Sequence, residues 1–279
     1  MKLAEQKQAL RVAVAAAQSA GAIMAKNLNL PKKVNATTQH DIKLDLDERC
    51  QRLIESMLLK ALPHVAILGE EGVVGDQQAE YRWVVDPIDG TVNFTYGIPH
   101  ACVSIALQER SPKSKVQCPM SRPGVGGADE DYENLVGVVL DPFTEELFTG
   151  IRGQPAHLNG RCIHVSGRTR LNEAIISVGF AKTKASLDQM LPSFTRLVHR
   201  VRKIRILGAA ALSLAYVAAG RVDAYVESGL RLWDIAAGGL IVECAGGDFW
   251  HEPLPGQAHS YRILVNNGHL RRSLVKLLR

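Results

Sequence analysis

Apolar residues recur at helical spacing over residues 3–27 and again over Asp45–Leu62, where Cys50, Leu53, Ile54 and Leu58 fall on one face. Both stretches are expected to be amphipathic helices. The period then shortens. "HVAILGEEG" reads as a short buried strand running into a polar turn, and "YRWVVDPIDGT" repeats that design more strongly. "ACVSIALQE" and "NLVGVVLDP" read as sheet strands, with "EELFTGI" as a hairpin partner. Between those two strands, residues 111–133 are rich in Pro and Gly and poor in large apolar side chains, the signature of a surface loop. After a turn-rich junction at "GQPAHLNGR", the second half reads as a strand ("AIISVGF"), a helix near Leu187–His199 and an Ala-rich, closely packed helix ("GAAALSLAYVAAG"). The strand "VDAYVE", a helix after Trp233, the strand "YRILVNN" and a short amphipathic helix complete it. No internal repeat emerges.

With 279 residues, the chain can form one large domain or two closely apposed subdomains. Its 46% hydrophobic content, 24 Gly and 12 Pro exclude wholesale disorder, collagen and coiled coil. The net charge of +5 is uneven: residues 1–150 hold 15 basic and 20 acidic side chains, and residues 151–279 hold 18 and 8. An acidic half joined to a basic half points to cations on one side and an anion on the other, with plain surface variation as the alternative. The five cysteines, Cys50, Cys102, Cys118, Cys162 and Cys244, include no CxxC pair. Neither a disulfide framework nor a zinc knuckle is indicated, and a reducing compartment is favoured. Gln18 and Ser19 interrupt the apolar N-terminal stretch, and no run reaches the roughly 18 apolar residues of a membrane span. A soluble cytoplasmic protein is expected.

The strongest chemical signal is "WVVDPIDGT". Asp86 and Asp89 stand at the end of an apolar strand, separated by Pro87 and followed by Gly90, which permits close backbone approach to a ligand. Buried carboxylates must be paired or metal-bound, and hard oxygen donors suit Mg²⁺ or Mn²⁺. An Asx-capped turn is the alternative. Glu70 and Glu71 form a second pair at a strand end. Asp234 precedes "IAAGGLIVECAGG", where a lone Asp is by default a helix cap, and Asp41, Asp45 and Asp47 would by default mark helix entry. Only their combination argues for a site that binds divalent ions and a phosphate.

"GEE" at Gly69–Glu71, "DPIDGTVNF" at Asp86–Phe94 and "LWDIAAGGLIVECAGG" at Leu232–Gly247 together resemble the paired signatures of the inositol monophosphatase family. The similarity also takes in Asp41–Asp47, Leu158–Arg161 and Gly220–Glu227, so it covers nearly the whole chain. The family comprises Mg²⁺-dependent, lithium-sensitive phosphatases. Its members act on inositol phosphates, histidinol phosphate, fructose 1,6-bisphosphate or adenosine 3′,5′-bisphosphate. The resemblance implies an α+β fold, the layered αβαβα sandwich shared with fructose-1,6-bisphosphatase. It places an N-terminal α+β part at 1–150, carrying most metal ligands, and a C-terminal α/β part at 151–279, carrying Asp234 and the substrate pocket. Glu70, Asp86 and the Ile88 carbonyl would hold a first metal; Asp86, Asp89 and Asp234 a second; Glu70 and solvent a weaker third. Mn²⁺ could substitute for Mg²⁺. Thr91, oriented by Asp47, would position and deprotonate the attacking water, giving Thr91, Asp47 and Glu70 catalytic roles. The amides of Gly90 and Thr91 would receive the phosphate. Glu71 would orient ligands or water without binding metal itself.

In the family the residue matching Glu227 bonds substrate hydroxyls, and Gly208, Ala209 and Ala210 line the same pocket with Asp89. Retention of Glu227 favours a small phosphorylated polyol or sugar. Ala209 stands where relatives commonly have Ser or Thr, which removes a hydroxyl from the pocket. "TVNF" resembles inositol monophosphatases more than their nucleotide-phosphatase relatives, and histidinol phosphate remains an alternative. Nucleophilic Cys or His catalysis would be the competing route, but no compelling Cys–His pair is visible, and His100, His157 and His164 read as structural or surface residues. The family commonly forms homodimers. Insertion 111–133 could touch a partner subunit, cover the site or be simply tolerated. The basic segments "RLVHRVRKIR" and "RRSLVKLLR" leave open an inactive nucleic-acid-binding protein on the same fold, although none of the expected carboxylates is missing.

Overall fold

The computed structural model describes residues 1–37, 42–111, 129, 131–180 and 184–278. Asp41 and most of the 111–133 insertion lie outside them. Helices α1 (Leu3–Asn27) and α2 (Asp45–Ala61) follow the predicted periodicity. The buried stripe of α1 is Ala9, Ala13, Ala16, Ala17, Ala20, Gly21 and Met24. Its small side chains bring the helix close to the sheet, where a Cβ on Gly21 would stand 2.8 Å from Leu140. A two-stranded ribbon, β1 (Val34–Thr37) with β2 (Ile42–Leu44), leads into α2.

Eight strands form the first sheet: β3 (Ala66–Gly69), β4 (Gly72–Val74), β5 (Tyr81–Asp89), β6 (Cys102–Arg110), β7 (Tyr132–Asp141), β8 (Glu146–Ile151), β9 (His157–Leu158) and β10 (Arg161–Cys162). Their order is β10-β9-β8-β7-β6-β5-β3-β4, antiparallel except for β3 beside β5. A short helix, α3 (Thr91–Thr95), follows β5 directly. The second sheet contains β11 (Ile175–Val178), β12 (Lys203–Arg205), β13 (Ala224–Arg231), β14 (Asp248–Pro253) and β15 (Ser260–Asn266), in the order β12-β11-β13-β15-β14. Its helices are α4 (Lys184–Val198), α5 (Ala210–Ala218), α6 (Leu232–Cys244) and α7 (Arg271–Leu278).

The pleat distributes the apolar residues among three cores. Trp83, Val85, Ile105 and Val138 face α1 and α2, while their neighbours Val84, Ala106 and Val139 face α5 and α6. Tyr225, Ile263 and Val265 of the second sheet close that middle core from the other side. Ile176, Val178, Ala224 and Leu264 meet Leu197 of α4 and Leu274 of α7. The result is five layers, αβαβα. Its middle position explains why α6 lacks a polar face: a helix between two sheets is buried all round. Gly137 of β7 allows the close contact, since a Cβ there would lie 2.7 Å from the Ala237 carbonyl oxygen. Among the described residues, no helix is long and apolar enough to cross a membrane.

Candidate metal centre

Residues three apart on a regular strand point to opposite faces of the sheet. β5 escapes that rule at Asp86 and Asp89. Asp86 pairs with Ser104 and Asp89 with Cys102, so three steps on β5 oppose two on β6. The irregularity spans Pro87, which has no N–H for the ladder. One extra residue is the content of a β-bulge, and here it turns both carboxylates to one side. The Ile88 N–H donates to Asp86 Oδ1 at 3.0 Å, holding the turned segment from within.

The third carboxylate comes from the second half of the chain. Asp234 lies in the first turn of α6, where its Oδ2 accepts the Arg231 N–H at 2.7 Å. The Ser104 hydroxyl donates to the Trp233 carbonyl at 3.1 Å and ties that helix start to β6. One oxygen each from Asp86, Asp89 and Asp234 then lie within 4.8 Å of one another. This trio is the cluster of potential metal ligands found among the described residues.

The electrostatics of the trio call for a cation. Burial, followed by the charges of Glu70, Asp89, Asp234 and Asp47, raises the Asp86 pKa well above the ordinary carboxylate range. Burial and then the charges of Asp89 and Glu70 do the same to Asp234. Asp89 is pushed up only to about 6, because donors from Ala210, Ala211 and Cys102 offset part of its burial. Those donors have a structural origin. Ala209 is the N-cap of α5 and has no side-chain acceptor, so the first N–H groups of the helix need one elsewhere. Asp89 supplies it, accepting from Ala210 at 3.1 Å and Ala211 at 2.7 Å. The remaining oxygens are hard donors crowded into a buried space, and this set fits a divalent cation.

The other expected site residues surround the trio. Glu70 follows β3 and is near enough for its charge to act on Asp86 and Asp234, but its carboxylate is not one of the three in the tight cluster. Glu71 is fixed through its backbone, whose N–H donates to Gln51 Oε1 at 2.8 Å. Asp47, in the first turn of α2, accepts the Leu44 N–H at 2.7 Å and adds its charge to the field at Asp86. The Thr91 hydroxyl donates to the Ile88 carbonyl at 2.8 Å. Gly90 adopts φ 88°, and a Cβ there would press within 3.0 Å of the His100 carbonyl. Gly208, at φ 76°, faces Asn93, whose amide donates to the carbonyls of His100 and Leu207, both at 2.9 Å. Glu227 of β13 accepts the Tyr225 hydroxyl and contributes to the field at Asp234.

Asn93, Gln51, Ser104 and Gly179 were not singled out by the sequence. Asn93 lay within the "TVNF" signature, but its role as a clamp between α3 and the start of α5 depends on contacts more than a hundred residues apart. A Cβ on Gly179 would fall 1.6 Å from a carboxylate oxygen of Glu227, so glycine makes room for that side chain. Nucleophilic cysteine chemistry finds no support at the cluster. Cys102 donates to Asp89 Oδ2 at 3.5 Å, and burial followed by the neighbouring aspartates pushes its thiol well above the usual range. Cys162 lies 3.6 Å from His164, but on the exposed β10 edge. His100 packs edge-on against Tyr216, with burial lowering its pKa.

Known proteins share this architecture and this sequence. The family model described as "Inositol monophosphatase family" matches residues 5–121 and 125–277. "Nus factor SuhB" of Pseudomonas aeruginosa is 40% identical over 246 residues, 85% of this chain and 83% of that protein. "Inositol monophosphatase 1" of Solanum lycopersicum is 34% identical over 278 residues, 96% and 94% of the two chains. The crystal structure of extragenic suppressor protein suhB from Bartonella henselae superposes with a TM-score of 0.83 at 32% identity, covering 96% of this chain and 97% of that one. Inositol monophosphatase from Anabaena gives a TM-score of 0.79 at 32% identity, covering 98% and 95%. With two separated signatures, the layered fold and the carboxylate trio in agreement, the chain belongs to the inositol monophosphatase family.

Proposed function

We propose that this protein is a Mg²⁺-dependent phosphomonoester hydrolase whose best substrate is inositol 1-phosphate or a similar polyol phosphate. The observation that carries the reading is the convergence of Asp86, Asp89 and Asp234, with Glu227 close enough to act on the same field. Those three aspartates, with Glu70 and the Ile88 carbonyl, would hold two or three Mg²⁺ ions. Bound there, divalent ions supply the activation of water and the charge stabilisation that in-line attack on phosphorus requires. The chain's own groups do the rest. Donation to the Ile88 carbonyl fixes the Thr91 hydroxyl so that its oxygen can accept a hydrogen bond from the attacking water. Passing that proton on would require Thr91 to turn its own hydrogen to a carboxylate, the role the family pattern gives Asp47. The Gly90 and Thr91 amides receive the phosphate, and Glu227 accepts from substrate hydroxyls beside Gly208, Ala209 and Ala210. Glu71 orients ligands or water without binding metal itself.

The name of the Solanum relative supports an inositol phosphate as substrate. Phosphate release should be measured with inositol 1-phosphate, histidinol phosphate, fructose 1,6-bisphosphate and adenosine 3′,5′-bisphosphate in the presence of Mg²⁺. Preferential turnover of the first is expected, and no turnover of any by metal-loaded protein would defeat the reading. Lithium sensitivity, a homodimer and a cytoplasmic location belong to the same proposal, and light scattering reads the oligomer directly.

One observation favours a second role. Arg196, Arg200, Arg202, Lys203 and Arg205 are exposed on or after α4, and Arg272 and Lys276 on α7, the layer farthest from the trio. Exposed basic side chains clustered in this way could meet nucleic-acid phosphates. The "Nus factor" name of several relatives agrees with a role beside hydrolysis. Salt-dependent RNA binding that survives loss of Mg²⁺ would support it, and absence of binding at low salt would remove it.

A further inference from the structure

Within the 111–133 insertion, Asp129 is a described residue that takes no direct part in the hydrolytic chemistry. Its carboxylate is 4% exposed and serves three partners. The buried Arg82 guanidinium donates at 2.8 Å, the Tyr261 hydroxyl at 2.8 Å, and His259 Nδ1 lies 2.8 and 3.0 Å from its two oxygens. Arg82 is itself held by Gln108 at 2.8 Å and stacked 3.7 Å from the Tyr132 ring. Asp129 therefore joins the first sheet to the turn before β15 in the second. Burial alone would raise its pKa, but the His259, Arg82 and Tyr261 contacts outweigh that and hold it low.

The turn it grips is strained and leads to the metal centre. His259 has φ 54°, a left-handed conformation that costs a non-glycine residue free energy and persists only when neighbours fix it. In that conformation its carbonyl accepts the Leu232 N–H at 2.9 Å, at the first residue of α6. The Arg231 guanidinium donates to the flanking Ala258 carbonyl at 2.9 Å and to the Ser260 hydroxyl at 3.0 Å. The Arg231 N–H in turn holds Asp234 Oδ2. Each link is a hydrogen bond, and the last one orients a member of the carboxylate trio.

We propose that Asp129 is a positioning residue that fixes the Ala258–Ser260 turn and, through Arg231 and Leu232, aims Asp234 at the divalent-cation site. This inference rests on the metal-centre reading above. It gives the insertion a role in the site without any contact between its carboxylate and substrate. The same logic governs the outer partners of metal ligands generally, whose loss costs 10- to 100-fold in metal affinity.

The test is Mn²⁺ binding to the full chain without substrate, followed by electron paramagnetic resonance, for the wild type, Asp129→Asn and His259→Gly. Gly tolerates the left-handed turn and has no side chain to reach Asp129, so the second variant cuts the link while leaving Arg82 its carboxylate. Both variants are expected to bind Mn²⁺ about tenfold more weakly, with kcat near wild type at saturating metal. Wild-type affinity in folded His259→Gly overturns the inference, even if Asp129→Asn is unstable. A wild type that binds no Mn²⁺ would instead overturn the metal-centre reading, and this inference with it.

Discussion

Asp89 shows how one side chain serves the fold and the site together. It caps α5 through Ala210 and Ala211, the task that a Ser or Thr at Ala209 would share, and it completes the carboxylate trio. The lost hydroxyl at Ala209 therefore leaves no orphaned donor at the first turn. The pair Asp86 and Asp89 was legible because two acids bracketing a proline at the end of an apolar strand are costly without a partner. Gly179 was not legible, because its significance lies in a side chain on another strand. Gly179→Ala would place a Cβ on the Glu227 carboxylate and force it aside. The expected result is a KM for the polyol phosphate about tenfold higher or more, the scale of a charged hydrogen bond. Mg²⁺ dependence should stay near wild type, and steady-state kinetics at saturating Mg²⁺ separate the two.

At the scale of elements, long periodic segments declared themselves and short ones did not. α1, α2, β5, β6, β7 and α6 are long enough for their period to show. β4, β9, β10 and β12 have only two or three residues each, and sheet pairing rather than local pattern makes them strands. The bulge in β5 was hidden for another reason: Pro87 marked a turn, but only the register against β6 shows that it brings Asp86 and Asp89 to one face. Packing between elements is equally non-local. Gly137→Ala would push β7 against the Ala237 carbonyl of α6, a backbone contact that cannot rotate away. Overpacking of this kind costs about 1–3 kcal/mol, measurable by urea denaturation. Because α6 also carries Asp234, the same variant should bind Mg²⁺ more weakly in a metal titration.

Across the whole molecule, the charge asymmetry resolves into separate layers. The acidic first half supplies Asp86 and Asp89, α6 brings Asp234 across, and exposed basic residues gather on α4, α7 and the β12 edge of the second half. The trio also sets a pH dependence. Its folded pKa values lie above the ordinary carboxylate value of 3.8, with Asp89 at about 6 and Asp86 and Asp234 raised well above that starting value. The metal-free fold thus holds more protons than the unfolded chain. The stability this gives is fully present below pH 3.8 and is lost as pH rises through about 6. A bound cation compensates only where the carboxylates are ionised. At a hundredfold excess over Kd it adds about 2.7 kcal/mol, so saturating Mg²⁺ should raise Tm by several degrees at pH 8 and scarcely at pH 4. Calorimetry showing equal gains at both pH values would contradict the assignment of these groups.

The central claim is that the aspartate trio binds divalent ions in order to hydrolyse a phosphomonoester. Phosphate release from inositol 1-phosphate, followed as Mg²⁺ is titrated into the wild type and Asp89→Asn, tests it most directly. Asn keeps an acceptor for the start of α5 but removes the charge. The wild type should turn over only with Mg²⁺, and a variant with unchanged circular dichroism should lose roughly 10²–10³-fold or more in kcat, the scale of removing one electrostatic stabiliser. Wild-type turnover by Asp89→Asn, or Mg²⁺-independent release by the wild type, would contradict it.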